Sequence, residues 1–384
     1  MNTGAPPLVL HVIHNLSIGG LENGLVNLIN TMPVSGYRHA IACIEAYSDF
    51  RDRIKRPDVE VIALKRSQVG HWRMRRDIFR LCRRLRPDIL HSRNMSALDA
   101  LLPARLAGVT RSVHGEHGWD VDNLDGEHWK PIVLRRLHAP LIDHYITVSD
   151  HLKRYLAERI GIAAQRISHV CNGVDTDRFA PDSSSSSEWL PERFKGEDKL
   201  LIGSVGRIQA VKDHATLLHA FSMLIETSPA LRARLRMTIV GDGPLLTELR
   251  AYADLLKIAD LVWFPGALDN IPDVLRALDV FVLPSLNEGI SNTILEAMAA
   301  GIPVLTTAVG GSVELVEEGV SGRFFAPGDA PTLSKMLGDY AENPVVRRAH
   351  GEAARRIAVD RFSLTAMVAG YESVYDRLCH RTAR

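Results

Sequence analysis

The stretch Pro284-Ser-Leu-Asn-Glu-Gly-Ile-Ser-Asn-Thr-Ile-Leu-Glu296 carries two carboxylates, Glu288 and Glu296, with seven residues between them. It follows an apolar run, Val280-Phe-Val-Leu283, that reads as a buried parallel strand. The chain then passes through a loop holding Glu288, Gly289 and Ile290. It enters a helix near Asn292 or Thr293, which places Glu296 in the first turn. Gly301 and Pro303 close that helix. A strand end leading into a helix N-terminus is where open α/β sheets bind ligands. The N–H groups of Ser291, Asn292 and Thr293 suit a phosphate, and the two carboxylates suit sugar hydroxyls on either side of it. The same residues also fit a plainer role. Thr293-Ile-Leu-Glu296 matches a capping box, and Glu288 an ordinary loop carboxylate.

Arg207 and Lys212 lie in Gly203-Ser-Val-Gly-Arg-Ile-Gln-Ala-Val-Lys-Asp-His214, which ends one strand and opens a helix. Cations at such a junction stabilise the negative charge that builds on a diphosphate leaving group where no metal does so. Ile18-Gly-Gly-Leu-Glu-Asn-Gly24 follows the first strand, and Gly19 and Gly20 allow backbone to approach a ligand beside the next helix. Its spacing is not G-x-G-x-x-G, which speaks against a nicotinamide cofactor; no cofactor is expected. In Val113-His-Gly-Glu-His-Gly118, His114 falls at a strand end, where it can hydrogen-bond a sugar hydroxyl, and His117 ranks behind it. His-Gly-Glu also fits the H-x-E of zinc deaminases, but no P-C-x-x-C accompanies it. Glu314, in Gly310-Gly-Ser-Val-Glu-Leu-Val316, is either a further ligand contact or an early helical acid that favours the dipole. The D-x-D pairs Asp120-Val-Asp122 and Asp175-Thr-Asp177 read as structural, so no metal site is expected.

Together these segments resemble the retaining glycosyltransferases of family 4, which have the GT-B fold. Glu288 and Glu296 correspond to that family's E-x7-E element, and Arg207 and Lys212 to its phosphate-binding cations. Gly19-Gly20 and the Gly310-Gly311 loop with Glu314 correspond to its glycine loops near the donor, and His114 to a histidine often found there. Ile146-Thr-Val-Ser149, Asn172-Gly-Val-Asp-Thr-Asp-Arg-Phe179, Val240-Gly-Asp-Gly-Pro-Leu245 and Phe264-Pro-Gly266 also recur at the expected places, so the resemblance spans nearly the whole chain. More narrowly, the chain is similar to sugar transferases of bacterial exopolysaccharide clusters associated with exosortase (PEP-CTERM) systems.

The resemblance implies transfer of a sugar, without a metal, from a nucleotide-diphosphate sugar to a glycan or lipid-linked glycan acceptor. Glu296 would bind the ribose and Glu288 the donor sugar. Retention in the family is explained by front-face attack, with the leaving phosphate taking the acceptor proton. Two other readings share the architecture. A nucleotide-sugar epimerase would need no acceptor, and a non-catalytic partner subunit would not need Arg207, Lys212, Glu288 and Glu296, all of which are present.

These residues need a scaffold, and 384 residues are enough for two domains. Short apolar runs alternate with helical patterns from Leu8–His14 to Ile167–Val170, and again from Leu200–Val205 to Arg323–Phe325. Leu21–Thr31, Arg75–Leu85 and Asp150–Arg159 are among the helical stretches. The alternation predicts an α/β protein with two Rossmann-like lobes, each with a parallel sheet, and a cleft between them. Residues 1–180 would form the first lobe, and 181–198 a linker around the five serines 183–187. Residues 199–359 would form the nucleotide-sugar lobe. The tail, 360–384, is helical by pattern and in the resembled fold crosses back to the first lobe.

The net charge of +1 excludes a strongly basic nucleic-acid binder. The four scattered cysteines fit reduced thiols, and neither a secretory leader nor a membrane span is expected, so the predicted location is the cytoplasm or the cytoplasmic face of the inner membrane. From Arg51 to Arg86 there are 13 Lys/Arg against 4 Asp/Glu, around an apolar stripe of Ile78, Leu81, Cys82 and Leu85. That segment is either a core-packed helix with a solvated face or a contact to anionic lipid.

Overall fold

The computed structural model describes residues 5–118, 128–182 and 188–380. The chain divides into two compact units, residues 1–173 with 364–384, and residues 174–363. Unit 1 carries β1 (Leu8–Ile13), β2 (Arg38–Cys43), β3 (Glu60–Ala63), β4 (Ile89–Arg93), β5 (Ser112–Glu116), β6 (His144–Thr147) and β7 (Ile167–His169). Its helices in chain order are α1 (Gly20–Thr31), α2 (Arg66–Leu85), α3 (Leu101–Leu106), α4 (Trp129–His138) and α5 (Asp150–Tyr155). Unit 2 carries β8 (Leu200–Val205), β9 (Leu235–Val240), β10 (Val262–Gly266), β11 (Val280–Leu283), β12 (Val304–Thr307) and β13 (Gly322–Phe325). Its helices are α6 (His214–Thr227), α7 (Leu246–Leu255), α8 (Ile271–Arg276), α9 (Asn292–Ala299), α10 (Ser312–Leu315), α11 (Ala330–Glu342) and α12 (Pro344–Phe362). The last helix, α13 (Leu364–His380), belongs to unit 1.

Both sheets are parallel, in the orders β3-β2-β1-β4-β5-β6-β7 and β10-β9-β8-β11-β12-β13. Strands covered on both faces are mostly apolar, which is why near-continuous apolar runs in the sequence mark them. In each sheet the order reverses once, between β1 and β4 and between β8 and β11. Connections leave to opposite sides there and open a crevice at the carboxyl ends of the strands.

One face of the first sheet packs on α2 and α3 through Leu10, Ile78, Leu81, Cys82 and Leu101. The apolar stripe of the basic segment is therefore core. The helix itself begins nine residues earlier than Arg75, at Arg66, with a break at Gly70 (φ 78°) that hides its first part from a periodicity argument. The other face packs on α1 and α13, where Val9, Ile89, Val113 and Ile146 meet Met367, Tyr371, Val374 and Tyr375. A polar ladder interrupts this core. His11 and His91 are register partners on β1 and β4. Arg93 Nη1 donates to His11 Nδ1 at 2.8 Å, so the proton of His11 lies on Nε2, which donates to His39 Nδ1 at 2.9 Å. His91 Nδ1 hydrogen-bonds the Tyr375 hydroxyl at 2.7 Å and ties α13 to the sheet.

The expected linker differs. Val174 N–H donates to Phe362 O, and Arg276 holds the carbonyls of Arg178 and Ala180, so residues 174–180 belong to unit 2. Past the serines, Trp189 stacks on Trp263 at 5.5 Å and Phe194 is buried, so this part is packed rather than a free connection. Serines 183–187 and the pair Asp120/Asp122 lie outside the described residues. Asp175 caps its own turn by accepting the Arg178 N–H at 2.9 Å.

Candidate active site

The reversal point of unit 2 gathers three loops. After β8 the chain runs through Gly206 and Arg207 into a single turn, Ala210–Lys212, and Asp213 then takes a left-handed conformation (φ 45°) to start α6. After β11, Pro284–Ile290 carries Glu288 to α9. The two loops are joined by the backbone, with Leu286 N–H donating to Val211 O at 2.8 Å. Lys212 and Glu288, 76 residues apart in sequence, form an ion pair whose side chains are 17% and 9% exposed. The Ser285 hydroxyl donates to the same Glu288 oxygen at 2.6 Å, and Thr307 of β12 holds the Ser285 carbonyl. Charge in so dry a place is tolerated only when paired and hydrogen-bonded. Arg207 is exposed, with no side-chain partner among the described residues.

The third loop follows β12. Gly310 and Gly311 lie directly against the Glu288 loop, with Gly311 N–H donating to Gly289 O at 2.8 Å. A Cβ on Gly310 would stand 1.7 Å from Glu288 O, and one on Gly311 would stand 2.1 Å from Gly289 O. Only glycine admits this approach, which fixes the height of the Glu288 loop. Glu314 follows in the first turn of α10.

Helix α9 starts as expected but is capped differently. Ser291 is its N-cap, and its hydroxyl accepts the Ile294 N–H at 3.3 Å. The Thr293–Glu296 capping box therefore does not form, because Thr293 is already inside the helix. Glu296 lies beyond the first turn, on the second. The capping-box reading of Glu296 loses its geometric basis.

His214, just past Asp213, is buried with both ring nitrogens lacking a hydrogen-bond partner among the described residues. Burial, then the nearby Lys212, lowers its pKa to about 4. It packs as a neutral ring at the base of the loop.

In unit 1 the sequence expectation needs correction. β5 continues two residues past His114, because Gly115 pairs with Arg93 and Ile146 and Glu116 with Thr147. His114 is therefore mid-strand and buried, with Nδ1 on the Ser92 hydroxyl at 2.8 Å and Nε2 3.4 Å from Glu116. Glu116 is itself clamped by Arg135 of α4 through Nε and Nη2 at 2.7 and 3.0 Å. Burial raises the Glu116 pKa, but Arg135 and His114 outweigh it and hold the carboxyl well below the usual range. His114 does not reach a strand end; His117 does.

Asn94, at the end of β4, has φ 55° and ψ 175°, a region that favours glycine. Its amide oxygen accepts the His117 N–H and its own N–H donates to Gly115 O, each at 2.9 Å. His117 Nε2 is left without a hydrogen-bond partner among the described residues. Burial, then Arg93, lowers the pKa of His117 to about 3.

The Gly19-Gly20 loop opens α1, with Gly19 as an extended N-cap. The carboxylate of Glu22 folds over it, 2.2 Å from where a Cβ on Gly19 would be.

Residues 18–178 match the family described as Glycosyltransferase Family 4, and residues 185–357 that described as Glycosyl transferases group 1. The GDP-mannose-dependent alpha-(1-6)-phosphatidylinositol monomannoside mannosyltransferase of Mycolicibacterium smegmatis is 30% identical over 274 residues, which cover 67% of this chain and 68% of that one. The UDP-Gal:alpha-D-GlcNAc-diphosphoundecaprenol alpha-1,3-galactosyltransferase of Escherichia coli is 26% identical over 304 residues, 78% of this chain and 77% of that one. Among solved structures, Anabaena Alr3699/HepE in complex with UDP superposes with a TM-score of 0.82 at 21% identity, covering 97% of this chain and 100% of that one.

Proposed function

The chain belongs to the group 1, family 4 glycosyltransferases and uses a nucleotide-sugar donor, and on that premise we propose that it is a metal-independent, retaining enzyme acting on a glycan or lipid-linked glycan acceptor. The observation that carries this reading is the Lys212–Glu288–Ser285 cluster at the reversal point of unit 2, beside the N-terminus of α9. A donor diphosphate brings the charge needed to draw Lys212 from Glu288. The released carboxylate then accepts hydrogen bonds from the donor sugar, while Glu296 accepts from the ribose. Arg207, exposed and unpaired at the end of β8, supplies the second cation. As the sugar–phosphate bond breaks, both cations and the α9 N–H groups meet the growing charge. His117, just past the end of β5, joins His114 as a candidate for a polar contact with the donor sugar.

The two relatives named for lipid-linked acceptors support an acceptor of that kind here, and exopolysaccharide assembly would be the setting. The reaction would then run on the cytoplasmic side of a membrane, in peripheral contact with it.

The test is nucleotide binding followed by turnover, with UDP- and GDP-sugars heading the panel. Arg207→Ala and Lys212→Ala should each slow transfer by about 10²–10³-fold, a loss of roughly 2.7–4 kcal/mol of transition-state stabilisation. Activity should survive excess chelator. Near-wild-type rates in both variants would show that the diphosphate is held elsewhere. Donor conversion without any acceptor would point instead to an epimerase.

A further inference from the structure

Arg93, the last residue of β4, is only 1% exposed, and no carboxylate pairs with it among the described residues. A buried charge without a counter-charge is costly. Its Nη1 is committed to His11, which His39 holds in turn, so the guanidinium is fixed in orientation. That leaves Nε and Nη2, and neither has a hydrogen-bond partner among the described residues. These two nitrogens form the edge of a guanidinium that takes two oxygens of an anion side by side. The protein uses that edge twice elsewhere: Arg135 presents Nε and Nη2 to Glu116, and Arg56 presents them to Asp58. The edge of Arg93 faces no carboxylate. Further nitrogens lie beside it. A Cβ on Gly115, the register partner of Arg93, would stand 2.7 Å from His117 Nε2 and 3.2 Å from His91 Nε2, so both rings converge on the bare face of that glycine. Neither nitrogen has a hydrogen-bond partner among the described residues. Burial, then Arg93, keeps both rings neutral. The hydroxyls of Tyr371 and Tyr375 stand near Arg93 without bonding that edge.

We propose that Arg93 receives a phosphate group of the acceptor, with the Nε/Nη2 edge taking two oxygens and His117 Nε2 a third. The inference deepens, and rests on, the reading of the chain as a transferase. The position suits a ligand, because β4 is one of the two strands where the order of the first sheet reverses, and Arg93 stands at its carboxyl end. The cations assigned to the donor diphosphate, Arg207 and Lys212, belong to unit 2, so an anion held by Arg93 is a second one. A carboxylate would fill the edge and leave the imidazole without a partner, whereas a phosphate has an oxygen to spare. A metal ion would be repelled by the guanidinium. Tyr371, Tyr375, His11 and His91 are buried around Arg93, while His117 is partly exposed, so the phosphate enters past the His117 ring.

The experiment is calorimetric titration of the full chain carrying Arg207→Ala and Lys212→Ala, which removes the anion-binding cations of unit 2. Inorganic phosphate and glucose 1-phosphate should both bind this background chain, and acetate or chloride at equal ionic strength should bind far more weakly. Adding Arg93→Lys, which keeps the charge but loses the two-nitrogen edge, should weaken both phosphates by about tenfold or more, the worth of one hydrogen bond between charged groups. Arg93→Gln should abolish their binding. In the otherwise native chain, Arg93→Lys should leave nucleotide affinity unchanged. The proposal is overturned if the background chain binds neither phosphate, if Arg93→Lys and Arg93→Gln bind like the background, if acetate binds as well as phosphate, or if Arg93→Lys alone weakens nucleotide binding. Inorganic phosphate held while glucose 1-phosphate is refused would mark a closed ion site and sink the acceptor assignment as well. Phosphate binding that depends on Arg93, in a chain whose native form binds no nucleotide, would leave the site standing and sink the transferase reading instead.

Discussion

Gly311→Ala is the sharpest probe of the donor loop, because it isolates one steric contact. The backbone of Gly311 is ordinary (φ −77°, ψ −4°), so alanine adds no conformational strain there. Its Cβ, however, would stand 2.1 Å from Gly289 O and 2.5 Å from Ile290 Cδ1. Real Cβ atoms do not approach below 3.0 Å, so the Gly289 carbonyl must retreat by about 0.9 Å (3.0 − 2.1). Glu288 precedes Gly289 in the chain and shifts with it, which loosens its contacts with Ser285 and Lys212. Overpacking of this kind costs about 1–3 kcal/mol. For a unit of this size that is a fall in Tm of roughly 2–4 °C per kcal/mol. A displacement near 1 Å in a positioning loop slows turnover by about 10²-fold. The assay pairs Tm with nucleotide-sugar turnover. Gly328→Ala serves as the control: its Cβ meets no atom within 4 Å, yet its φ is 75°, so it should lose stability and keep its rate. Full turnover in Gly311→Ala, with Tm lowered as in the control, would refute the idea that the Gly310-Gly311 contact sets the position of Glu288.

Glu296→Gln should weaken nucleotide binding several-fold with little change in Tm, because a carboxylate makes charge-assisted bonds to hydroxyls about twice as strong as an amide does; unchanged affinity would remove Glu296 from the donor site. Acid should unfold unit 1 before unit 2. His11, His39 and His91 are buried and kept neutral, by desolvation first and then chiefly by nearby arginines, with His39 lowered to about 3. The unfolded chain protonates them near 6.5 while the folded chain does not. Stability therefore falls with pH from about 6.5 toward 3, by about 1.4 kcal/mol per unit for each group; melts followed separately for each unit between neutral pH and about 5 would show it. Asn94→Gly relieves a glycine-like backbone worth about 1–3 kcal/mol but removes the acceptor for His117 N–H, so Tm should rise while turnover drops. A faster enzyme would mean that His117 needs no such support.

Both sheets were legible in the sequence because fully covered parallel strands leave apolar runs, unbroken at Val280–Leu283 and interrupted only by His11 at Leu8–Ile13. The loop positions of Arg207, Lys212 and Glu288 followed directly. Their convergence did not follow from spacing, since β8 and β11 are neighbours only through a non-consecutive strand order. β5 was cut short at His114 because Gly115 and Glu116 look like loop residues; the compensating cation, Arg135, is 19 positions away. The histidine ladder went unread for a related reason. A histidine inside a strand signals a buried partner, but only register reveals that His11 meets His91. The capping box failed on a single residue, since Ser291 precedes Thr293 and captures the N-cap first.

The return of α13 to unit 1 has a consequence for biogenesis. The sheet face that carries Val9, Ile89, Val113 and Ile146 is closed by residues 364–380, which leave the ribosome only after residues 174–363 have been made. At about 5–20 residues per second, that delay is on the order of tens of seconds. Unit 2 is contiguous and can complete itself as it emerges, whereas unit 1 waits with an open apolar face, although it is first in order of synthesis. Newly made chains are therefore most exposed to proteases and chaperones through their earliest-made half, and any truncation before Leu364 strands that half permanently.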